Sequence, residues 1–97
     1  MSTLARLLEE KREAILRAAA HRGATHVRIF GSVARQQDDE QSDIDFLVDF
    51  EPERSLLDHA GLVVDLESLL ARRVDVTTTS ALRGAMRDRI LREARPL

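Results

Sequence analysis

The run Ser42-Asp43-Ile44-Asp45-Phe46-Leu47-Val48 constrains the fold of this chain more than any other segment. Apolar Ile44, Phe46 and Val48 alternate with Asp43, Asp45 and Leu47, the period-two pattern of a strand with one buried face. Aspartate is disfavoured in strands, yet two of them here point the same way, roughly 6–7 Å apart along the chain. Keeping two like charges side by side without a cation is costly. Two oxygen donors so spaced suit Mg²⁺, which takes one or two protein carboxylates and fills its shell with water and substrate phosphates.

Ten residues separate Asp43 from Gly31-Ser32, which closes an earlier strand, Thr25 to Phe30, with Val27 and Ile29 on one face and His26 and Arg28 on the other. A helical turn over Val33-Ala34-Arg35-Gln36 would start on those small residues. Its free backbone N–H groups and partial positive charge attract phosphate. Gly31 lets a ligand approach the backbone, Ser32 adds a hydroxyl, and Arg35 lies on the same side of the turn. On the next strand, Arg73 to Thr77, Asp75 stands between β-branched Val74 and Val76. If the two aspartate strands are neighbours, three carboxylates meet beside the phosphate turn.

The remaining elements are helical. Ser2 or Thr3 can cap a first helix carrying Leu4, Leu7, Leu8, Ile15, Ala18 and Ala19, with Gly23 as its stop. Glu51-Pro52-Glu53 ends the aspartate strand near Phe50, and Ser55 can cap a long helix to about Arg72. Thr79 or Ser80 begins a final helix with Leu82, Met86 and Ile90. The expected class is α/β, a small sheet flanked by helices, in one domain over residues 1–97.

A formal net charge of −2 with 33% charged residues argues against direct nucleic-acid binding, which normally needs a basic stripe. Zero cysteines exclude thiolate sites and fit the cytoplasm. No run approaches a membrane span, so no membrane partner is expected. His21, His26 and His59 lack metal-ligand spacing and are read as surface or packing residues, and Asp38-Asp39-Glu40 as a solvated loop. Glu67 falls inside the apolar arc of the long helix and should find an arginine or backbone N–H partner. That arc, from Leu56 and Leu57 through Val63 and Val64 to Leu70, is wide enough for a protein partner to cover part of it.

Gly31-Ser32, the ten-residue gap, Asp43-Ile44-Asp45 and Val74-Asp75-Val76 resemble the minimal nucleotidyltransferases of the DNA polymerase β superfamily, and within it the MNT antitoxins paired with HEPN toxins. The resemblance runs from about residue 4 to 94, including Leu66-Glu67 and Ile90-Leu91-Arg92-Glu93-Ala94. It implies a polymerase β-like fold with a small mixed sheet. It also implies two-metal transfer of AMP from ATP to a hydroxyl, a tyrosine's, on a HEPN ribonuclease toxin. Asp43, Asp45 and Asp75 would be catalytic and bind Mg²⁺, while Gly31, Ser32 and Arg35 would hold the nucleotide. A homodimer or a hetero-oligomer with the toxin would follow. Gln36 departs from the pattern, since many relatives carry glycine there. Two rivals are an antitoxin acting by occlusion alone and a transferase acting on a small molecule, though 97 residues leave little surface to enclose one.

Overall fold

A computed structural model describes residues 2–97. Ser2 caps the first helix, α1 (Thr3–Glu10), by accepting the Ala5 N–H at 3.0 Å. The single first helix expected from periodicity is two: α1 and α2 (Arg12–His21) meet at Lys11. Residues 9–13 are all exposed, so no buried contact holds the axis straight at that turn. Gly23, at φ 74°, stops α2 and opens β1 (Ala24–Phe30). The short α3 (Gly31–Ala34) leads to β2 (Ile44–Phe50), then α4 (Leu56–Leu70), β3 (Val74–Thr78), α5 (Gly84–Glu93) and β4 (Arg95–Pro96).

The sheet runs β3-β2-β1-β4, with β2/β3 parallel and the other pairs antiparallel. It is mixed, as expected, but has four strands rather than the three legible in the sequence. β4 is two residues long and too short for any periodicity to mark. A parallel β2/β3 pair needs a crossover, and α4 supplies it. Ser55 and Asp58 form the capping box that starts α4, and Ala71 in the left-handed region ends it.

One face of the sheet packs on helices: Ile44, Phe46, Val48, Val74 and Val76 meet Leu4, Leu8, Ile15, Leu62, Leu66 and Leu70. Each such buried side chain stabilises by about 1.5–3 kcal/mol over its exposed state. The opposite face is not the simple exposed side that alternation implied. Leu47 is fully buried there against Leu82 and Ile90, with Phe30 and Leu91 around them. The helix expected from Thr79 or Ser80 begins only at Gly84, after a 3₁₀ turn over Thr79–Ala81. Leu82 therefore packs from the connecting segment, and Met86, expected on the packed stripe, is exposed. The consequence is that α5 roofs part of the carboxylate face and brings its C-terminal end to the Gly31 turn. Among the described residues no helix is long and apolar enough to cross a membrane.

Candidate functional site

Asp45 lies opposite Asp75 in the parallel β2/β3 ladder and opposite Phe30 in the antiparallel β1/β2 ladder. Residues paired across a sheet point to the same side, so the two carboxylates share the face opposite Ile44, Phe46, Val74 and Val76. Asp75 is exposed on the edge strand, whereas Asp45 is half-buried in the middle of the sheet. Asp43, one strand period earlier, is exposed, with its Oδ1 3.1 Å from Nε of Arg73. Arg73 precedes Val74 as Asp43 precedes Ile44, and Ile44 pairs with Val74. Only the strand pairing reveals that juxtaposition, so sequence reasoning missed Arg73.

Gly31 follows Phe30 directly and has φ 74°. A Cβ at that position would collide with Oδ2 of Asp45. Glycine is thus required both by backbone conformation and by the closeness of turn and carboxylate. Ser32 comes next, half-buried, and its carbonyl accepts the Gln37 N–H at 2.9 Å. Arg35 donates from Nη1 to Oε1 of Glu93 at 2.7 Å and from Nε to Oε1 of Gln37 at 3.1 Å. Glu93 also accepts the Gly31 N–H on Oε2 at 3.1 Å. The hydrogen bond from Arg35 holds the Glu93 carboxyl below its ordinary range, aided by the Gly31 N–H and opposed by burial.

Charge crowding is strongest at Asp45. Burial first, then Asp75 and Asp43, push its carboxyl from 3.8 up to about 6, with Arg35 pulling the other way and Glu93 adding a small rise. Among the described residues, no three carboxylate or imidazole groups are already drawn together as a closed ligand set. The donor chemistry nevertheless fits a hard divalent cation: oxygen ligands only, with negative charge concentrated beside a half-buried carboxylate.

The surrounding loop is more ordered than a solvated acidic run. Asp39 accepts the Gln41 N–H at 2.8 Å, and its own N–H donates to Oγ of Ser42 at 3.0 Å, which fixes the approach to Asp43. Gln36 adopts φ 59°, which is the physical reason a glycine suits that position. The histidines stay outside the carboxylate site. His59 donates from Nε2 to the Val76 carbonyl at 2.7 Å and leans on Phe50, and His26 reaches Asp49 at 3.3 Å. Glu67 accepts the Val74 N–H at 3.1 Å, a backbone partner as anticipated.

Residues 9–97 match the family described as the nucleotidyltransferase domain. MJ0435 of Methanocaldococcus jannaschii, a candidate protein adenylyltransferase, is 40% identical over 87 residues, covering 90% of this chain and 94% of that protein. Protein adenylyltransferase MntA of Thermococcus cleftensis is 42% identical over 71 residues, 73% of this chain and 72% of the relative. The solved structure of a candidate minimal nucleotidyltransferase superposes with a TM-score of 0.86 at 48% identity, covering 100% of this chain and 97% of that one. A toxin–antitoxin crystal structure with AMP-PNP gives a TM-score of 0.74 over 87% of this chain and 69% of its own. At 17% identity, that last likeness concerns the fold alone.

Proposed function

Because this chain belongs to the nucleotidyltransferase domain family, we propose that it is an antitoxin transferring AMP from ATP to a tyrosine hydroxyl of a cognate HEPN ribonuclease toxin. The carrying observation is Asp45 beside Asp75 on adjacent strands, with the Gly31-Ser32 turn against Asp45. The names of the two relatives support AMP as the group transferred and a protein as its acceptor. The toxin–antitoxin structure with AMP-PNP shares the fold, and a toxin as that protein is our own reading.

Asp43, Asp45 and Asp75 would hold Mg²⁺, which when bound supplies charge neutralisation of the phosphates and polarisation of the reacting oxygens. The N–H groups after Gly31, the Ser32 hydroxyl and the Arg35 guanidinium hold the triphosphate. The acceptor oxygen then bonds to the α-phosphorus as the bond to the pyrophosphate oxygen breaks. Asp75, exposed on the edge strand, takes the hydroxyl proton. AMP on the toxin adds negative charge, which opposes the approach of RNA phosphates. A protein acceptor also suits a site open at the sheet edge, since the acceptor brings its own surface to exclude water.

Intact-mass measurement of the co-expressed toxin tests the proposal. One or more AMP additions are expected, and they should vanish in Asp43→Asn/Asp45→Asn. Full protection of cells by that double variant, with no mass added to the toxin, would establish neutralisation by occlusion instead.

A further inference from the structure

We propose that Glu93 is a positioning residue for the nucleotide, holding Arg35 and the Gly31 turn in the arrangement that receives the phosphates. The inference rests on the nucleotide reading above and adds a residue to it. A carboxylate is an unexpected group beside an anion site, so its contacts must account for it. Oε1 takes Nη1 of Arg35 and Oε2 takes the Gly31 N–H, which joins the end of α5 to a turn 62 residues away in sequence. The Glu93 side chain is only 17% exposed, whereas that of Arg35 is 43% exposed. The carboxylate is therefore the fixed partner and the arginine the one it restrains.

Gln37 holds Nε of the same guanidinium, so Arg35 is gripped on two edges by its own chain. Among the described residues Nη2 carries no such contact, and it remains available to a phosphate oxygen. The N–H groups of Ser32 and Val33, beyond the one Glu93 takes, likewise stay with the ligand in this scheme. An arginine ordered in advance loses less freedom on meeting a phosphate than one that must be ordered by it. Holding it this way has an electrostatic cost, because Glu93 adds negative charge near the triphosphate. The positioning role requires that pre-ordering outweigh this repulsion, which gives the test its sign.

Titration of MgATP into the full chain, followed by calorimetry, separates the outcomes. Glu93→Gln should weaken Kd about fivefold to tenfold, the value of one pre-ordered side chain. Glu93→Asp, with the charge kept but the reach shortened, should lie between Glu93→Gln and wild type. Arg35→Ala should abolish most of the sensitivity to position 93, so that Arg35→Ala/Glu93→Gln binds within about twofold of Arg35→Ala alone. A purely structural role would lower the melting temperature while leaving Kd unchanged or the two losses additive, and either result overturns the inference. Tighter MgATP binding by Glu93→Gln would overturn it too, by making the carboxylate a competitor of the phosphates. Wild-type protein that binds no MgATP rejects the nucleotide reading along with it; wild-type binding that Glu93→Gln leaves unchanged rejects this inference alone.

Discussion

At Asp45, burial and two neighbouring carboxylates act in the same direction, and the outcome is a carboxyl titrating at about 6. Its folded value lies above the ordinary 3.8, so protonation favours the folded state. In chelator, the stability linked to this proton is fully present below the unfolded value and is lost as pH rises through about 6. For a fully buried group such a rise would amount to ~3 kcal/mol, and about half of that applies here, because Asp45 is partly in water. Asp45→Asn should therefore make the metal-free protein more stable at pH 7.5 by ~1–2 kcal/mol and flatten the decline between pH 4 and 7. Urea unfolding at both ends of that range checks it, and an unchanged slope would show that the repulsion is relieved some other way. Asp43 and Asp45 were visible from alternation alone. Arg73 and Glu93 were not, because each reaches the site only through strand pairing or helix docking.

On the scale of elements, α4 is tied to β3 by two side chains, His59 on the Val76 carbonyl and Glu67 at the strand's first residue. Glu67 accepts the N–H of buried Val74, the first residue of β3, at 3.1 Å. Glu67→Ala would leave that N–H unpaired at a cost of about 1–3 kcal/mol. Glu67→Gln, which keeps an acceptor, should cost less than half as much. Denaturant midpoints of the two variants test this, and equal losses would place the effect in packing rather than in the hydrogen bond. Helix starts marked by side-chain caps, at Ser2 and Ser55, were legible because capping is local chemistry. The start of α5 was not. Arg83 precedes it with no side-chain cap, and the Thr79 and Ser80 that mimic one belong to a 3₁₀ turn.

Across the whole molecule, the wide apolar arc of α4 divides between two surroundings. Leu62, Leu66 and Leu70 are buried under the sheet, while Leu57 remains 81% and Val64 64% exposed. Under the proposed function, the exposed side of α4 is where the toxin docks, across the sheet from the carboxylates, so the modified hydroxyl reaches them around the β3 edge. Leu57→Glu/Val64→Glu should change the stability of the free protein by no more than about 0.5 kcal/mol per site, as expected for exposed positions. The same variant should weaken association with the toxin at least ~10-fold if these side chains anchor the interface. Calorimetry against the purified toxin decides it, and unchanged affinity would move the docking surface off α4.

Alternation, capping and the spacing of small and acidic residues are properties of neighbours along the chain. The sequence by itself therefore determined the α/β class, the aspartate strand, the Gly31-Ser32 turn and the candidate carboxylates. Distances between segments arise only when the chain closes on itself. Tertiary structure alone decided that Asp45 and Asp75 stand opposite each other, that β4 adds a fourth strand, and that Leu47 is buried beneath α5. It also decided that a carboxylate from residue 93 grips the turn at residue 31, because a hydrogen bond of 3.1 Å depends on packing and leaves no local pattern.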